Sequence, residues 1–559
     1  MNTFTAQTDA VGGSLALSAL VATLPLLAFF IMLLGVKARA HTSAIISLAV
    51  AILVAVFGFK MPLDLSLMSA VRGGIYGLFP IVWVILMAIW FYQVTVVSGR
   101  FEDLRRTFDR IGGGDLRIQA ILIAFCFGGL LEALAGFGAP VAITATMILA
   151  LGVKPLKAAT TVLIANTAPV AFGAVAIPIT TAGEIGGRDA VDIAAIVGHQ
   201  APFLAFFVPF ILLWILDGVR GLKDAWVPAA VIGFSFAVAQ WWASVYFAYQ
   251  LTDVVACIVS LGAAVAFLQV WKPKGIAGVR ERYGLPAELP AADHELTGMR
   301  IWMALMPYAV VVIIFGVANL YQPLVTWLKT TAPKIPMPLL KDRLLNDAGE
   351  PIKSVYSFAW LGNPGTYLLI AGLIVTVIYL IFNEKGRYAF TFGDAIKEIF
   401  TTAYRMRWTA LTIACVLALA YVMNYSGQTV AIGEYVASLG TIYALLAPVL
   451  GWVGTAVTGS DTSANALFGK LQVTAAENLQ ANGIEGASPE LMLAANTTGG
   501  VVGKMISPQS LAIAATSVQM EGKESEIFKS VLPWSFILLA AVCVLVFLQS
   551  NILHWMVAL

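Results

Sequence analysis

The chain has 559 residues, of which 60% are hydrophobic and 11% are charged, and its formal net charge is +2. An ordinary soluble domain contains about 25% charged residues, so this composition excludes a water-soluble globular protein. The net charge says nothing about nucleic acid, but the sequence has no basic stripe with interleaved aromatic residues, so no nucleic-acid partner is predicted. Long unbroken apolar runs argue against a β-barrel, whose strands read as alternating segments of about ten residues. The sequence therefore predicts an all-α polytopic membrane protein.

Cysteine and histidine spacing predicts no disulfide, metal site or cofactor. The four cysteines (Cys126, Cys257, Cys415 and Cys543) lie far apart inside apolar runs, and the four histidines are scattered. Such cysteines behave as small buried hydrophobic residues. Residues 1–36 contain no Lys or Arg to begin a signal peptide, so we expect the first helix to remain in the mature protein.

Apolar segments of about 20 residues, the length needed to cross a bilayer, follow one another along the chain. About twelve crossings are predicted, at 14–36, 42–59, 71–97, 157–180, 199–217, 225–247, 253–271, 299–318, 365–383, 407–425, 489–516 and 531–550. Two further stretches, 118–152 and 437–478, could each hold two helices but are interrupted by glycines. We predict that both are re-entrant hairpins that enter and leave on one side, since broken backbone at membrane depth needs protein or a water-filled cavity around it. The amphipathic stretch 391–406 is predicted to lie along the cytoplasmic interface.

The distribution of basic residues predicts which side each loop faces. Arg100, Arg105 and Arg106 fall in a loop that the twelve crossings place in the cytoplasm, whereas the outward loop at 479–488 has no basic residue. This positive-inside pattern predicts that the N-terminus and the C-terminus are periplasmic. It holds equally if both interrupted stretches are double crossings, so charge leaves that alternative open. The basic residues within 321–360 are an exception that a long loop tolerates.

The two halves of the chain repeat one plan. Residues 1–217 and 299–559 each contain three crossings, an interrupted hairpin stretch, a broken crossing and a whole crossing, and residues 218–298 supply a linker helix pair and a cytoplasmic loop. Because the halves begin on opposite sides, we predict an inverted repeat, with a substrate site near the bilayer midplane where broken helices meet.

Four motifs mark the broken places in the two halves. They are FCFGGLLEALAGFGAPVAI at 125–143, NTAPVAFGA at 166–174, TGSDTSANALF at 458–468 and ANTTGGVVGKMISPQS at 495–510. In this order they resemble the bacterial L-lactate permease family, and the resemblance covers essentially the whole chain. It implies proton-coupled symport of L-lactate and related 2-hydroxy monocarboxylates, such as glycolate and D-lactate, across the inner membrane. It also implies the paired hairpins of the ion transporter superfamily, often in a homodimer with an elevator motion.

Two carboxylates inside these motifs are candidates for proton coupling. Glu132 lies well within an apolar stretch, and charged residues at such depth normally face a cavity or a partner. Its alternative role is a structural contact with a backbone N–H or a nearby arginine. Asp461 lies at the break of the second hairpin among Ser460, Thr462 and Ser463, where it could bind a cation, relay a proton or cap the second half-helix.

A monocarboxylate needs N–H donors or a positive charge, which half-helix N-termini supply. Asn166 with Thr167 and Asn496 with Thr497 are predicted to lie at equivalent helix breaks in the two halves and to line the substrate pocket. Their alternative role is to satisfy local backbone at the breaks.

Further polar residues near the second hairpin complete the predicted substrate site. Ser460 and Thr462 could contact the substrate through hydroxyls, and Gln509 is a polar candidate beyond the break. Lys504 could pair with the substrate carboxylate or with Asp461, although a lysine that reaches the cytoplasmic headgroups is the competing interpretation.

Glycines at the hairpin tips need no side-chain role. Gly136, Gly138 and Gly459 are predicted to permit the tight turns there.

Three other functions remain as alternatives. A sodium-coupled carboxylate transporter would use the same broken helices, and an anion channel could share them without coupling. A membrane-embedded enzyme would need a catalytic cluster at the membrane face, and the sequence has none. The predicted partners are therefore a small monocarboxylate, a proton and the lipid bilayer.

Overall fold

The computed structural model describes residues 3–36, 38–111, 114–134, 138–271, 274–285, 296–345, 351, 354–384, 386–520 and 523–557. Its first half contains α1 Leu15–Ala22, α2 Leu24–Phe30, α3 Ala40–Leu53, α4 Leu63–Tyr76, α5 Trp83–Val97, α6 Arg100–Ile111, α7 Leu116–Ile121, α8 Gly128–Leu134, α9 Ala139–Ala150, α10 Pro155–Ala165, α11 Gly173–Gly186, α12 Ala190–Tyr246, α13 Thr252–Val270 and α14 Ile276–Arg282. The second half contains α15 Gly298–Leu320, α16 Gln322–Thr330, α17 Pro364–Ile381, α18 Phe392–Ser426, α19 Gln428–Ala437, α20 Tyr443–Thr458, α21 Asp461–Ala481, α22 Pro489–Gly503, α23 Pro508–Ser517 and α24 Glu524–Gln549.

Four short strands form two small sheets outside these helices. They are β1 Phe4–Thr5, β2 Lys334–Pro336, β3 Leu344–Leu345 and β4 Val355–Ser357. β1 pairs in parallel with β3, and β2 pairs antiparallel with β4. The N-terminal strand and residues 344–345 therefore lie together.

Among the described residues, ten helices are long and apolar enough to cross a membrane. The chain is thus an all-α multi-pass membrane protein, as the composition predicts. Three predicted crossings are shorter or broken helices: the first is α1 and α2 followed by a π-helical segment, 157–180 is divided between α10 and α11, and 489–516 is divided between α22 and α23. Two of the ten membrane-length helices, Leu116–Leu134 and Gly440–Thr458, are arms of the stretches predicted as hairpins.

Two predicted boundaries differ from the structure. The crossing predicted at 71–97 begins at Leu63, and the helical trace continues through a kink at Phe79. The prediction of a separate interfacial helix at 391–406 was wrong, because α18 runs without interruption from Phe392 to Ser426. After Gly393 this segment contains no Gly or Pro to break the helix, and its N-terminus has a capping box between Thr391 and Asp394.

The crossings predicted at 199–217 and 225–247 form one helical trace, α12, with non-helical backbone at Gly218 and Ala225. Arg117 is fully buried at the start of the first hairpin stretch and donates to Asp217 at 3.1 Å and to Asp224 at 3.2 Å. Since breaking a buried ion pair costs about 3–5 kcal/mol, this contact holds the hairpin stretch firmly against the bend of α12.

Each interrupted stretch contains two helical arms that pack against each other. The first stretch has α7, a π-helical segment and α8 as one arm and α9 as the other, and the second has α20 and α21. A broken helix follows each stretch: α10 and α11 in the first half, and α22 and α23 in the second. The order of elements thus repeats between the halves.

Glycines let α20 and α22 approach at backbone contact distance. A Cβ atom added to Gly451 would lie 1.8 Å from the Asn496 carbonyl oxygen, and one added to Gly499 would lie 1.9 Å from the Pro448 carbonyl oxygen. Small residues permit such close helix packing in membranes. The contact fixes the second hairpin against the broken helix that carries Lys504.

Candidate functional site

The tips of the two hairpin stretches and the breaks of the two broken helices meet around a small cavity of about 40 Å³. It is lined by Glu132, Val170, Gly173, Ala174, Pro178, Gly459, Ser460, Asp461, Thr462 and Lys504. Residues from both halves of the chain therefore build one site. A volume near 40 Å³ corresponds to about one water molecule, so a larger ligand requires the lining groups to move apart.

An ion pair between the halves lies at the centre of the site. The ammonium group of Lys504 donates to Glu132 Oε1, and the amide of Asn166 donates to Glu132 Oε2 at 3.0 Å. Glu132 is 2% exposed and Lys504 is 8% exposed. The interpretation of Lys504 as a lysine that reaches the headgroups was wrong, because its side chain is buried. The partner of Glu132 is a lysine that lies 372 residues away in the sequence.

Asp461 also lines the cavity, at the first position of α21. It is 3% exposed, and Thr455 donates to its Oδ1 at 3.4 Å. Its Oδ2 has no hydrogen-bond partner among the described residues. The N-terminus of α21 favours a negative charge here, while Ser460 caps the helix by accepting from the Ser463 N–H at 3.2 Å. The capping role considered for Asp461 thus belongs to Ser460.

Strained backbone forms part of the cavity wall. Ala174, Val175 and Ala176 have φ angles of 44°, 61° and 55°, which is a left-handed turn of three consecutive non-glycine residues. This conformation costs about 1–2 kcal/mol per residue, and such strain persists mainly at functional sites. Gly173 precedes the turn, and a Cβ atom there would lie 3.1 Å from Glu132 Oε1. The turn therefore holds the backbone tightly against the Glu132 carboxylate.

A second cavity, of about 680 Å³, adjoins the site through a shared residue. Ser460 lines both cavities, and the larger one extends past Gln509 to His41 and Trp408. Gln509 is exposed and lies against the hairpin tip, since a Cβ atom on Gly459 would be 2.6 Å from its Oε1.

The predicted equivalence of the two Asn-Thr pairs was wrong in its details. Asn166 and Thr167 lie where α10 ends, as predicted, but Asn496 and Thr497 lie in the middle of the unbroken helix α22, whose break comes at Lys504–Ile506. Thr167 donates to the Ile164 carbonyl oxygen at 2.6 Å, which is the local backbone contact considered for it.

Asn496 and Thr497 are fully buried in a polar cluster that does not line the small cavity. Asn496 donates to Asn465 Oδ1 at 2.8 Å and accepts from Gln472 at 3.0 Å, and Thr497 donates to Asn465 Oδ1 at 3.1 Å. Asn465 also donates to the Pro178 carbonyl oxygen at 3.0 Å. Because its members satisfy one another, the cluster joins the second hairpin stretch to both broken helices. The sequence feature that could have revealed this cluster is the presence of Asn and Gln side chains inside apolar segments.

Two predicted tip glycines have the left-handed backbone that turns require. Gly138 has φ 87° before α9, and Gly459 has φ 74° between α20 and α21. Gly136 lies outside the described residues.

Comparisons with known proteins show which family the chain resembles. The sequence profile of the L-lactate permease family matches residues 18–553. The chain is 39% identical to the L-lactate permease of Bacillus subtilis (strain 168), over 98% of each chain. It is 38% identical to the glycolate permease GlcA of Escherichia coli (strain K12) over 97% of each chain, and 38% identical to the L-lactate permease of the same strain over 98% of each.

A solved structure, the YdaH transporter of Alcanivorax borkumensis, aligns with a TM-score of 0.33 and 17% sequence identity, covering 79% of this chain and 87% of that chain. The alignment is too distant to bear on the fold or the site.

Proposed function

This chain belongs to the L-lactate permease family, and we propose that it is a proton-coupled symporter of L-lactate and related 2-hydroxy monocarboxylates, including glycolate and D-lactate, in the bacterial inner membrane. Its relatives are named permeases for lactate and for glycolate, which makes the chain a transporter. The observation that carries the coupling proposal is the buried Glu132–Lys504 pair in a cavity between the two halves.

Competition for Lys504 provides the coupling. In the empty site Lys504 is neutralised by Glu132. A substrate carboxylate that pairs with Lys504 displaces Glu132, and a bare carboxylate in this dry site is costly unless it takes up a proton. One anion and one proton then enter together, and the charge of the site is unchanged. Asp461 also lines the cavity, and its Oδ2 has no hydrogen-bond partner among the described residues, so it is the alternative group to Glu132 for taking up that one proton.

The substrate is held by groups that line the cavity and by Asn166, which lies beside the cavity and donates to Glu132. The hydroxyls of Ser460 and Thr462 and the amide of Asn166 can contact the 2-hydroxyl group, while the α21 N-terminus supplies N–H donors for the carboxylate. Thr167, Asn496, Thr497 and Gln509 surround the site. Gln509 lines the larger cavity, Thr167 bonds the backbone at the end of α10, and Asn496 and Thr497 join the polar cluster at Asn465.

Alternating access follows from the repeated halves. We infer that residues 1–217 and 299–559 are inverted repeats around the linker at 218–298, that both hairpin stretches are re-entrant, and that both termini are periplasmic. In that orientation residues 38–41 face the cytoplasm, so the cavity of about 680 Å³ that reaches His41 opens inward. Movement of the hairpins against the remaining helices would open the site to the periplasm. We infer that this movement takes place in a homodimer.

The proposal is tested with purified protein in liposomes that contain no other transporter. We expect an inwardly directed proton gradient alone to drive accumulation of labelled L-lactate, and a protonophore to abolish it. Unlabelled glycolate and D-lactate should compete. Accumulation driven by a sodium gradient alone would instead identify a sodium-coupled carboxylate transporter, and equilibration without accumulation under either gradient would identify a channel.

Replacement of Glu132 by glutamine should separate transport from coupling. Glutamine keeps the shape of the protonated acid, so we expect lactate exchange between the two faces to continue while accumulation driven by a proton gradient is lost. Counterflow and gradient-driven uptake are measured on the same liposomes, with Asp192→Asn, an exposed acid at the start of α12, as the control. If the Glu132→Gln variant accumulates lactate as the parent does, Glu132 is not the coupling group.

A further inference from the structure

A third buried carboxylate lies beside the site, and the mechanism above does not use it. Asp253, in the first turn of α13, is 1% exposed. Gln240 of α12 donates to its Oδ1 at 2.8 Å, and its Oδ2 has no hydrogen-bond partner among the described residues. No described lysine or arginine forms an ion pair with it.

Asp253 is joined to Glu132 through the break between α10 and α11. The Gln240 amide that donates to Asp253 also donates to the Ala168 carbonyl oxygen at 3.2 Å. Two residues earlier in the same break, Asn166 donates to Glu132. One unwound segment therefore positions both carboxylates.

The packing of α8 against α13 places Glu132 and Asp253 on facing sides of these two helices. A Cβ atom on Gly129 of α8 would lie 2.8 Å from Cys257 Sγ of α13. Glu132 follows Gly129 by three residues and Asp253 precedes Cys257 by four, and these spacings place each pair on one face of its helix. Glu132 from α8 and Gln240 from α12 are the groups that act electrostatically on Asp253 from the neighbouring helices.

Charge balance then favours the protonated form of Asp253. Glu132 already occupies the Lys504 cation, so an ionised Asp253 would be a second buried negative charge without a partner. Its place in the first turn of α13 is worth only about 0.3–1 kcal/mol to a carboxylate, whereas burial of an unpaired charge costs far more and is avoided by proton uptake. We therefore expect Asp253 to be protonated while Glu132 is ionised.

We propose that Asp253 is a second proton-binding site of this transporter and that it supplies the proton which neutralises Glu132 when substrate takes Lys504. The inference rests on the proposed proton coupling. In the transfer, the O–H bond of Asp253 breaks and an O–H bond forms on Glu132, so the summed charge of the two carboxyl groups is unchanged. Asp253 then takes a new proton from water, which balances the incoming anion. Gln240 is a positioning residue that holds Asp253 against the break.

The test compares Asp253→Asn with the parent in liposomes. We expect uptake driven by a proton gradient to fall by about 100-fold, the size typical of a positioned proton donor, while lactate counterflow stays close to the parent rate. Asp253→Glu should recover part of the driven uptake, and Asp192→Asn should behave as the parent. A purely structural role would instead lower counterflow and driven uptake together.

The outcomes separate this inference from the function on which it rests. If the parent shows no proton-driven accumulation, the proposed coupling itself is wrong. If the parent accumulates lactate and Asp253→Asn does so equally, only the role of Asp253 is wrong. Should Asp253→Asn fail to fold, the infrared carboxyl band of the parent and of Asp253→Glu is followed as lactate is added. If lactate addition leaves the carboxyl band unchanged in both the parent and Asp253→Glu, the proposal is overturned.

Discussion

Lys504→Gln should reduce lactate uptake by about 100-fold, equivalent to about 2.8 kcal/mol of lost interaction. The lysine is the cation that Glu132 holds in the empty site and that the substrate carboxylate would hold in the loaded one. Its removal deletes a charge-assisted contact to the substrate and leaves Glu132 buried without its counter-charge, which costs about 3–5 kcal/mol of stability. Initial uptake rates and the Tm of the detergent-solubilised protein measure the two effects separately.

Matched variants identify the cause of that loss. Lys523→Gln removes an exposed lysine at the start of α24 and should leave uptake unchanged. The double variant Glu132→Gln with Lys504→Gln should recover the Tm, because no unpaired charge remains, yet should not recover uptake. Uptake by the double variant at the parent rate would show that Lys504 serves stability alone.

Gly499→Ala should prevent the second hairpin from packing. The added Cβ atom would lie 1.9 Å from the Pro448 carbonyl oxygen. Neither atom can rotate away, because the Cβ atom is bonded directly to the backbone of α22 and the carbonyl group belongs to the backbone of α20. Overpacking of a core typically costs about 1–3 kcal/mol, and a backbone-to-backbone clash exceeds that range. We therefore expect a large loss of monodisperse protein in detergent, and a lowered Tm in whatever folds.

Gly262→Ala is the control for this variant. Gly262 lies within α13, and a Cβ atom there would meet no other atom within 4 Å. Since alanine favours helix by up to about 1 kcal/mol over glycine, its Tm should be equal to or above that of the parent. A Gly499→Ala protein as stable as the Gly262→Ala protein would mean that α20 and α22 are farther apart than described.

Two energetically unfavourable features lie next to each other in the site. The left-handed turn at Ala174–Ala176 and the buried Glu132–Lys504 pair are each unfavourable in isolation. Both are held by surrounding contacts, including the polar cluster at Asn465. A ligand that relieves either cost would gain part of that energy on binding.

Local pattern predicted much of this protein from its sequence. Hydropathy identified the membrane class and most crossings, because every spanning helix must satisfy its own backbone within one apolar segment. The same pattern misplaced the boundary at 391–406, since an amphipathic stretch can continue a membrane helix where no residue breaks it. The motifs singled out Glu132, Asp461, Ser460, Thr462 and Lys504, and the structure places these five residues around one cavity.

By itself the sequence determined which segments are helical, where glycine and proline interrupt them, and which few polar residues lie among apolar ones. Only the tertiary structure decided that Lys504 pairs with Glu132, that Asn496 joins a cluster with Asn465, and that Asp253 lies beside the break. The reason is that helix formation and chain interruption depend on neighbours a few residues away, whereas a buried charge takes its partner from whichever helix packs against it, here 372 residues along the chain.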